Sequence, residues 1–545
     1  MIQRSSGAAE MELRPQPWEA DLGEARPERQ DVTLLIETSP DTAATIFDKN
    51  NNKDSRRRSF SFSYLRSPGI SCLLISNILL LGLLIVQTIK LSRERPEGAP
   101  QLLQTDVTPG SNIWQMFRRT DVCPWTDTPE MDADCVYRRQ VSKHIMDSIL
   151  RCGLESEPQL DVFARNDNSI SHRGMPLVAP EHSLTGYDLA RRAGAGFIEC
   201  DASVTKDVSL VCRHSTCDLH TSTDILRRHS HLATKCSVPF KPATDTSPAA
   251  VECCTYDFTV AELKQLCLQM DADVNGSAVH PGDYSIGPPG WRSTALEEPC
   301  HRVVTYSEYL GWVRSKNLNA IPELKDTGNP GVQAFLKSSG ILVKDLANTF
   351  LSNLLEAGFT QHMHSHAGEL KWQSSEGPKA IMQTFDRTVA LHWKSVTPTL
   401  PVLYLYEHTS GACGPSDCGK EAIIRQLVAA GVEIMAPPLN EVVTSVGHRM
   451  APSDHARFLN DLPVGIASWT LDRSGCPGKQ PGSLDFAGPC GGYWEGMEGV
   501  SAFEWSDIVL LMYELYYNAN VTAAFSDYPS VNTIFLNCVP KKLQG

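Results

Sequence analysis

Eight short apolar runs recur between residues 166 and 535, and polar or amphipathic stretches separate them. Each run has the length of a buried strand, and helical spacing follows several of them, as at 184–193, 343–356 and 420–430. The runs cover 169–172, 196–201, 318–323, 379–386, 401–406, 432–436, 464–470 and 521–526. Strands and helices that alternate in this way are typical of a (β/α)8 barrel. We therefore predict an α/β fold of the TIM barrel class over 166–535.

A long connection interrupts the alternation after the second run. Residues 212–300 are rich in Cys, Pro and Gly, and their number far exceeds the usual connection of about 2 to 6 residues. We predict a disulfide-rich insertion here that covers the mouth of the barrel. Residues 90–165 are assigned to a stalk and pre-domain, and 536–545 to a C-terminal tail.

The stretch 70–89 carries no formal charge, and it is long enough to cross a hydrocarbon core of about 30 Å. More basic residues precede it, over 53–66, than follow it, over 90–95, which favours a cytoplasmic N-terminus. We predict a disordered cytoplasmic tail over 1–69 and a transmembrane helix over 70–89. The protein would be a single-pass type II membrane protein whose barrel lies on the lumenal or extracellular side, at the cell surface, in a vacuole or in the Golgi. A buried helix or a signal peptide is the alternative interpretation of 70–89.

Cysteine usage and charge refine this picture. Of the 17 cysteines, Cys72 lies in the predicted span and all others follow it, which is typical of disulfides in an oxidising compartment. A structural zinc site is the alternative, although no CxxC repeat occurs. Asn275 and Asn520 begin N-glycosylation sequons, which predict a glycoprotein. The net charge of −14 argues against nucleic acid as a partner.

Three acidic residues stand at the ends of predicted strands. Glu199 and Asp201 lie two apart in the second run, so both side chains share one face of the strand and Cys200 points to the other face. Glu323 ends the third run, and the carboxyl ends of barrel strands meet at one rim. Converging carboxylates need a cation, and oxygen ligands suit Mg²⁺ or Ca²⁺. We therefore predict a divalent cation as cofactor, held by these three carboxylates.

Two cations and two histidines follow the same strand ends. Arg173 and Lys325 would attract a phosphoryl group, and His172 and His214 titrate near neutrality and suit the acid and base of a displacement. Together these residues predict cleavage of a phosphodiester. Trp469 ends the seventh run and could line the substrate site, with core packing as an equal alternative.

The whole series of motifs resembles the glycerophosphodiester phosphodiesterase family. The series comprises His172-Arg173-Gly174, Pro180-Glu181, Glu199-x-Asp201, His214, Glu323-Leu324-Lys325, Gln383-x-Phe385-Asp386, Trp469-Thr470 and Asp527-Tyr528-Pro529. The resemblance implies a TIM barrel that hydrolyses a small-molecule glycerophosphodiester to glycerol 3-phosphate and an alcohol.

The resemblance also implies roles for single residues. The metal ligands would be Glu199, Asp201 and Glu323; the catalytic pair would be His172 and His214; and Arg173 and Lys325 would contact phosphate. The family usually has Asn and Asp where this chain has His182 and Ser215. We expect His182 to be a positioning residue, and Ser215 to affect the orientation of the second catalytic histidine.

Two other functions remain open at this stage. One is a phosphodiesterase of the lysophospholipase D type, because a membrane anchor would bring the site close to lipid. The other is a catalytically silent barrel that serves as an ectodomain. Retention of both histidines, all three carboxylates and both cations argues against the silent barrel.

Overall fold

The computed structural model describes residues 137, 140–145, 147–149, 151–152, 161–290, 292–366, 369–374, 377–406, 419–446, 449–471 and 505–540. The predicted cytoplasmic tail and the predicted span at 70–89 lie outside these residues, as does most of the predicted stalk. Within the described ranges no helix has both the length and the apolar character needed to cross a membrane.

Eight parallel strands form a closed barrel, which confirms the predicted fold class. In chain order they are β1 (Asn166–Ser171), β2 (Ala195–Val204), β3 (Asn319–Leu324), β4 (Met382–Thr384), β5 (Val402–Leu405), β6 (Ile434–Ala436), β7 (Gly465–Leu471) and β8 (Ala523–Ser526). Each strand pairs with its sequence neighbours, and β1 pairs with both β2 and β8, which closes the ring. Every predicted apolar run overlaps one of these strands.

Helices follow the strands and pack around the barrel. They are α1 (Leu184–Arg192), α2 (Tyr306–Ser315), α3 (Val343–Glu356), α4 (Arg387–Val396), α5 (Gly419–Ala429), α6 (Asp454–Asn460), α7 (Trp505–Tyr513) and α8 (Pro529–Cys538). Polar residues cap several of them: the Ser183 side chain accepts a hydrogen bond from Gly186 N at the start of α1, and Asp386 accepts from Thr388 N at the start of α4. Such caps satisfy backbone donors that the first helical turn leaves without partners.

Smaller elements complete the described barrel. They are the helices Pro330–Ser338 and Leu439–Val442, the π-helical turn Glu514–Asn518, the hairpin of Met363–His366 with Glu369–Trp372, and the hairpin of Val443–Val446 with Arg449–Pro452. A three-residue strand, Leu210–Cys212, pairs antiparallel with the end of β2.

Alternation along β2 decides which side chains reach the barrel interior. Phe197 packs in the apolar cluster inside the ring, with Ile170 and Ile321, whereas Ile198 and Cys200 belong to the larger core between the strands and the helices. Cys200 is disulfide-bonded to Cys212 on the outer side. The period-two geometry of a strand therefore directs Glu199 and Asp201 inward, above the internal apolar cluster.

The insertion (residues 213–304, described except for 291) separates the Leu210–Cys212 strand from α2. It contains only short elements: the helices Leu219–Ser222, Ile225–Arg228, Ser230–Ala233 and Val260–Leu263, the 3₁₀ turns Thr255–Asp257 and Pro281–Asp283, and the strands Val238–Lys241, Ala250–Glu252, Cys267–Leu268, Asp273–Val274, Ser285–Gly287 and His301–Arg302. It has its own apolar core and three disulfides, Cys217–Cys254, Cys236–Cys253 and Cys267–Cys300. Disulfides compensate for the small core that such a segment can bury.

The barrel core extends beyond the predicted range 166–535. Val141 and Ile145, in the predicted pre-domain, are buried in the main core. Helix α8 ends at Cys538, and a disulfide joins this residue to Cys152. The pre-domain segment around 137–152 is therefore attached to the barrel both by packing and by a covalent bond.

Candidate active site

Three carboxylates converge at the C-terminal ends of β2 and β3. Strand register places Glu323 directly beside Asp201, and one oxygen atom from each of Glu199, Asp201 and Glu323 lies within 4.8 Å of the others. Their residues are only 3%, 1% and 4% exposed. The sequence prediction that these three side chains meet on one rim agrees with this geometry.

Burial and neighbouring charges shift the pKa values of the three carboxylates in different directions. Burial, together with the charge of Asp201, raises the pKa of Glu199 well above its usual value. Burial likewise raises the pKa of Glu323 to about 8. Burial also opposes ionisation of Asp201, but Lys325 and His182 outweigh it and hold the pKa of Asp201 well below its usual range. An all-oxygen donor set of this kind fits Mg²⁺ or Ca²⁺.

Hydrogen bonds from neighbouring side chains position two of these carboxylates. His182 Nε2 lies 2.9 Å from Asp201 Oδ2, and its Nδ1 lies 3.1 Å from the Tyr187 hydroxyl. An ionised carboxylate only accepts, so His182 Nε2–H donates to Asp201 and the tyrosine hydroxyl donates to Nδ1. Gln383 Nε2 donates to Glu199 Oε1 over 3.1 Å. These hydrogen bonds fix the direction of two of the three carboxylates.

His172 stands directly after β1, with its ring held by Asp527. The Nδ1 atom lies 2.6 Å from Asp527 Oδ1, and Nε2 lies 4.0 Å from Glu199 Oε2. Because the carboxylate accepts, Nδ1 carries the proton and Nε2 faces the cluster. Burial and the charge of Arg173 lower the pKa of His172, while Asp527 opposes that shift.

His214 lies beside the same cluster, in the segment that follows the Leu210–Cys212 strand. The backbone N–H of Arg213 donates to Asp201 O over 2.8 Å, which fixes the chain immediately before the histidine. Burial, and then the charges of Arg173 and Lys325, lower the pKa of His214 well below its usual value. Within the described residues its ring makes no hydrogen bond, in contrast to that of His172.

Arg173 and Lys325 lie beside the carboxylates, as the sequence predicts. The Lys325 ammonium is 3.2 Å from Glu323 and 3.8 Å from Asp201. Arg173 has a left-handed backbone, with φ of 55°, and this conformation lets its N–H donate to Glu199 Oε2 over 2.8 Å. Its guanidinium lies 3.3 Å from Glu181 Oε2. The short turn after β1 thus joins the first histidine, a cation and a carboxylate.

Two aromatic residues of the site, Trp469 and Phe385, differ in how accessible their rings are. Trp469 is only 7% exposed, and its indole N–H donates to Ala436 O over 2.8 Å. Phe385 is 37% exposed, packs edge-on against Trp469, and lies 5.7 Å from the Lys325 ammonium. Of these two rings, Phe385 is the more accessible, and Trp469 supports it.

Several residues of the site have no assigned role at the level of sequence. Asp527 directly follows the eighth run, and its carboxylate holds the ring of His172. Glu181 and Gln383 occur in the motif series without a role. Asp271 and Arg292 lie in the insertion, where no pattern marks them. The only available signal for the first three is their position at strand ends or in turns near them.

Comparisons with known proteins agree with this geometry. The model of the "Glycerophosphoryl diester phosphodiesterase family" matches residues 172–471, more than half of the chain. "Probable glycerophosphodiester phosphodiesterase 1" of Mycobacterium tuberculosis is 44% identical over 54 residues, which cover 10% of this chain and 20% of that protein. The chain thus spans about a fifth of the length of that curated relative.

Two further similarities are more distant. An "Extracellular protein" of Arthroderma benhamiae is 20% identical over 267 residues, or 48% of this chain and 97% of that protein. The structure of an Oleispira antarctica phosphodiesterase in complex with the product sn-glycerol-3-phosphate has a TM-score of 0.37 and 14% identity, and the match covers 68% of this chain and 96% of that one.

Proposed function

Because the chain belongs to the glycerophosphoryl diester phosphodiesterase family, we propose that it hydrolyses glycerophosphodiesters to glycerol 3-phosphate and an alcohol, with a divalent cation and two histidines. One observation carries the proposal: three buried carboxylates within 4.8 Å of one another share a barrel rim with two cations and two imidazoles. This set of groups matches the needs of phosphodiester cleavage, namely charge neutralisation, an acid and a base.

Glu199, Asp201 and Glu323 are proposed to hold the cation, Mg²⁺ or Ca²⁺. When bound there, such an ion would neutralise the carboxylates and polarise the phosphoryl oxygens of the substrate. The raised pKa of Glu199 and of Glu323 supports this assignment, because two buried acids are costly to ionise together unless a cation compensates them. Arg173 and Lys325 would bind the phosphoryl oxygens beside the carboxylates. Trp469 would line the substrate site together with Phe385, whose more exposed ring packs against it.

The surroundings of the two histidines favour different roles. A carboxylate 2.6 Å from Nδ1 stabilises the protonated ring of His172, so this residue is proposed as the acid that protonates the leaving alcohol oxygen. Burial and two cations lower the pKa of His214, so this residue is proposed as the base that removes the proton from the attacking hydroxyl of glycerol or water. If water attacks directly, the leaving alcohol carries away the proton of His172, and the proton gained by His214 passes through solvent so that His172 is protonated again. If the glycerol hydroxyl attacks first, a cyclic phosphate forms, and the two histidines exchange roles as water opens it to glycerol 3-phosphate, which returns each to its starting protonation state.

The setting of the enzyme follows from the disulfides and the N-terminal sequence. Five disulfides join described residues, and bonds of this kind persist in oxidising compartments. We propose that the predicted span at 70–89 anchors the barrel on the lumenal or extracellular side of a membrane. The sequon residue Asn275 is half-buried on the insertion and is the proposed glycan acceptor.

Activity assays on substrates with different leaving groups test the proposal. Purified full-length protein should release glycerol 3-phosphate from glycerophosphocholine with Mg²⁺ or Ca²⁺, and EDTA should stop the release. His214→Ala should lose activity on every substrate. His172→Ala should keep most of its activity on a glycerol phosphodiester of nitrophenol, because that leaving group needs no proton.

The same assay separates the alternative functions. Release of choline from lysophosphatidylcholine without any release from glycerophosphocholine would favour the lysophospholipase D type of activity. Folded, metal-loaded protein that cleaves neither substrate would contradict the proposal and favour a silent barrel. If His172→Ala and His214→Ala lost activity equally on glycerophosphocholine and on the nitrophenol diester, the division of roles between the histidines would be contradicted.

A further inference from the structure

The insertion returns to the barrel beside the active site. At this point Ser293 N donates to Leu177 O in the turn that follows β1, over 2.9 Å. The preceding residue, Arg292, places its Nη1 atom 2.8 Å from Glu181 Oε1. Glu181 belongs to that same turn, so one backbone contact and one ion pair fix the insertion to the loop that carries His172 and Arg173.

Glu181 is shared between two guanidinium groups. Its Oε2 atom lies 3.3 Å from Arg173 Nη1, while its Oε1 atom lies beside Arg292. The Glu181 side chain is only 1% exposed, and both guanidiniums, together with His214, outweigh the effect of burial and hold its pKa well below the usual range. One carboxylate therefore stands between two guanidinium groups, and Arg173 also lies 3.9 Å from Asp201 Oδ2.

Other acidic residues lie close to the arginines at this junction of insertion and barrel. Asp218 lies 3.0 Å from Arg213 and pairs with that arginine instead. Asp271 lies 3.9 Å from Arg292, and burial, together with the charge of Glu181, raises the pKa of Asp271 well above its usual value. Glu181 is thus the nearer carboxylate to Arg292, at 2.8 Å, and burial disfavours a negative charge on Asp271.

The guanidinium of Arg292 also lies near the reaction centre. Its side chain is 15% exposed, and the charges of both Asp527 and Arg173 act on it. Asp527 is the partner of His172, so Arg292 lies on the same side of the barrel mouth as that histidine. A guanidinium carries five N–H donors, and Glu181 Oε1 occupies only one direction of the fork, which leaves donors for a second anion.

We propose that Arg292 is a substrate-binding residue supplied by the insertion, and that it donates hydrogen bonds to the phosphoryl oxygens of the bound phosphodiester. This inference rests on the proposed function. Glu181 orients Arg292 and Arg173 as a pair, so that the phosphoryl group meets a cation from the barrel and a cation from the insertion. The insertion thus contributes to substrate binding.

The proposal is tested with Arg292→Gln and Arg292→Lys in the full-length, Ca²⁺-loaded protein. The measurements are KM and kcat for glycerophosphocholine, and the dissociation constant of glycerol 3-phosphate by calorimetry, which needs no turnover. Arg228→Gln is the matched control, because Arg228 is also an insertion arginine, is 63% exposed and lies 3.9 Å from Glu298.

Loss of a charged hydrogen bond to phosphate should raise KM and the dissociation constant roughly ten- to a hundredfold in Arg292→Gln, with kcat changed by less than about threefold. Arg292→Lys keeps the charge but not the fork, so it should show a smaller rise. Arg228→Gln should match the wild type.

Arg292→Gln that folds and binds glycerol 3-phosphate as tightly as the wild type would overturn the proposal, and so would a change confined to thermal stability. If Arg292→Gln does not fold, unchanged binding by Arg292→Lys overturns it in the same way. A wild type that binds glycerol 3-phosphate but hydrolyses no diester would refute the proposed function only, because weaker binding by Arg292→Gln would still support a phosphate contact.

Discussion

Proton release on metal binding is the sharpest consequence of the buried carboxylates. Burial raises the pKa of Glu323 from 4.5 to about 8, so at pH 7 about one metal-free molecule in ten carries this group ionised. A bound cation requires the ionised form. Binding of Ca²⁺ must therefore expel a proton from the cluster, and Glu199, whose pKa is also raised, increases the number released.

The expected size of the effect follows from that pKa. Below pH 8 the affinity for Ca²⁺ should fall about tenfold for each pH unit per proton displaced. The metal-free protein should also lose stability as pH rises. Between pH 4.5 and 8 the folded state holds a proton on Glu323 that the unfolded state has released, so the free energy of unfolding falls by up to about 1.4 kcal/mol per pH unit.

Calorimetric titration with Ca²⁺ at pH 6, 7, 8 and 9 measures both quantities, if each pH is repeated in two buffers that differ in ionisation enthalpy. Glu323→Gln is the control variant: it should bind Ca²⁺ more weakly, release about one proton fewer and show a shallower pH slope. An affinity that is constant from pH 6 to pH 9, with no proton released by the wild type, would refute the electrostatic reasoning for the cluster.

Two further substitutions test the residues that orient the site. Asp527→Asn removes the carboxylate that stabilises protonated His172, so kcat/KM should fall roughly ten- to a hundredfold. The alkaline limb of the pH profile of kcat/KM should also move to lower pH. An unchanged pH profile would contradict the pairing of Asp527 with His172. His182→Ala removes the 2.9 Å hydrogen bond to Asp201 and should weaken Ca²⁺ binding roughly ten- to a hundredfold. The control is His182→Asn, which introduces the usual residue of the family. Equal Ca²⁺ affinity in the wild type and in His182→Ala would show that the hydrogen bond does not orient the carboxylate.

The barrel and the carboxylate cluster are predictable from sequence because both depend on local patterns. A buried parallel strand reads as a short apolar run, and eight such runs identify eight strands. Period-two alternation then places Glu199 and Asp201 on the inner face and Cys200 on the outer face, and the structure has all three there. Parallel strand ends meet at one rim, which brings Glu323 beside them.

Partners that are distant along the chain are not predictable in this way. Asp527 contacts His172 across 355 positions, and a periodic pattern states which face a side chain occupies without stating its partner. The insertion is the clearest case, because its disulfides and its own core determine where Arg292 returns to the barrel. Disulfide connectivity among so many cysteines is equally undetermined by spacing.

The two departures from the usual family pattern gain an explanation from their contacts. His182 replaces an amide, yet it still presents a donor to Asp201, now from a ring that Tyr187 fixes on its other side. Ser215 replaces an acid, but Asp218, three residues later, accepts from Ser215 N and binds Arg213. The turn beside His214 therefore contains a carboxylate, although at a different position. Neither change removes a residue assigned to the chemistry, so we expect altered rates and pH dependence but the same reaction.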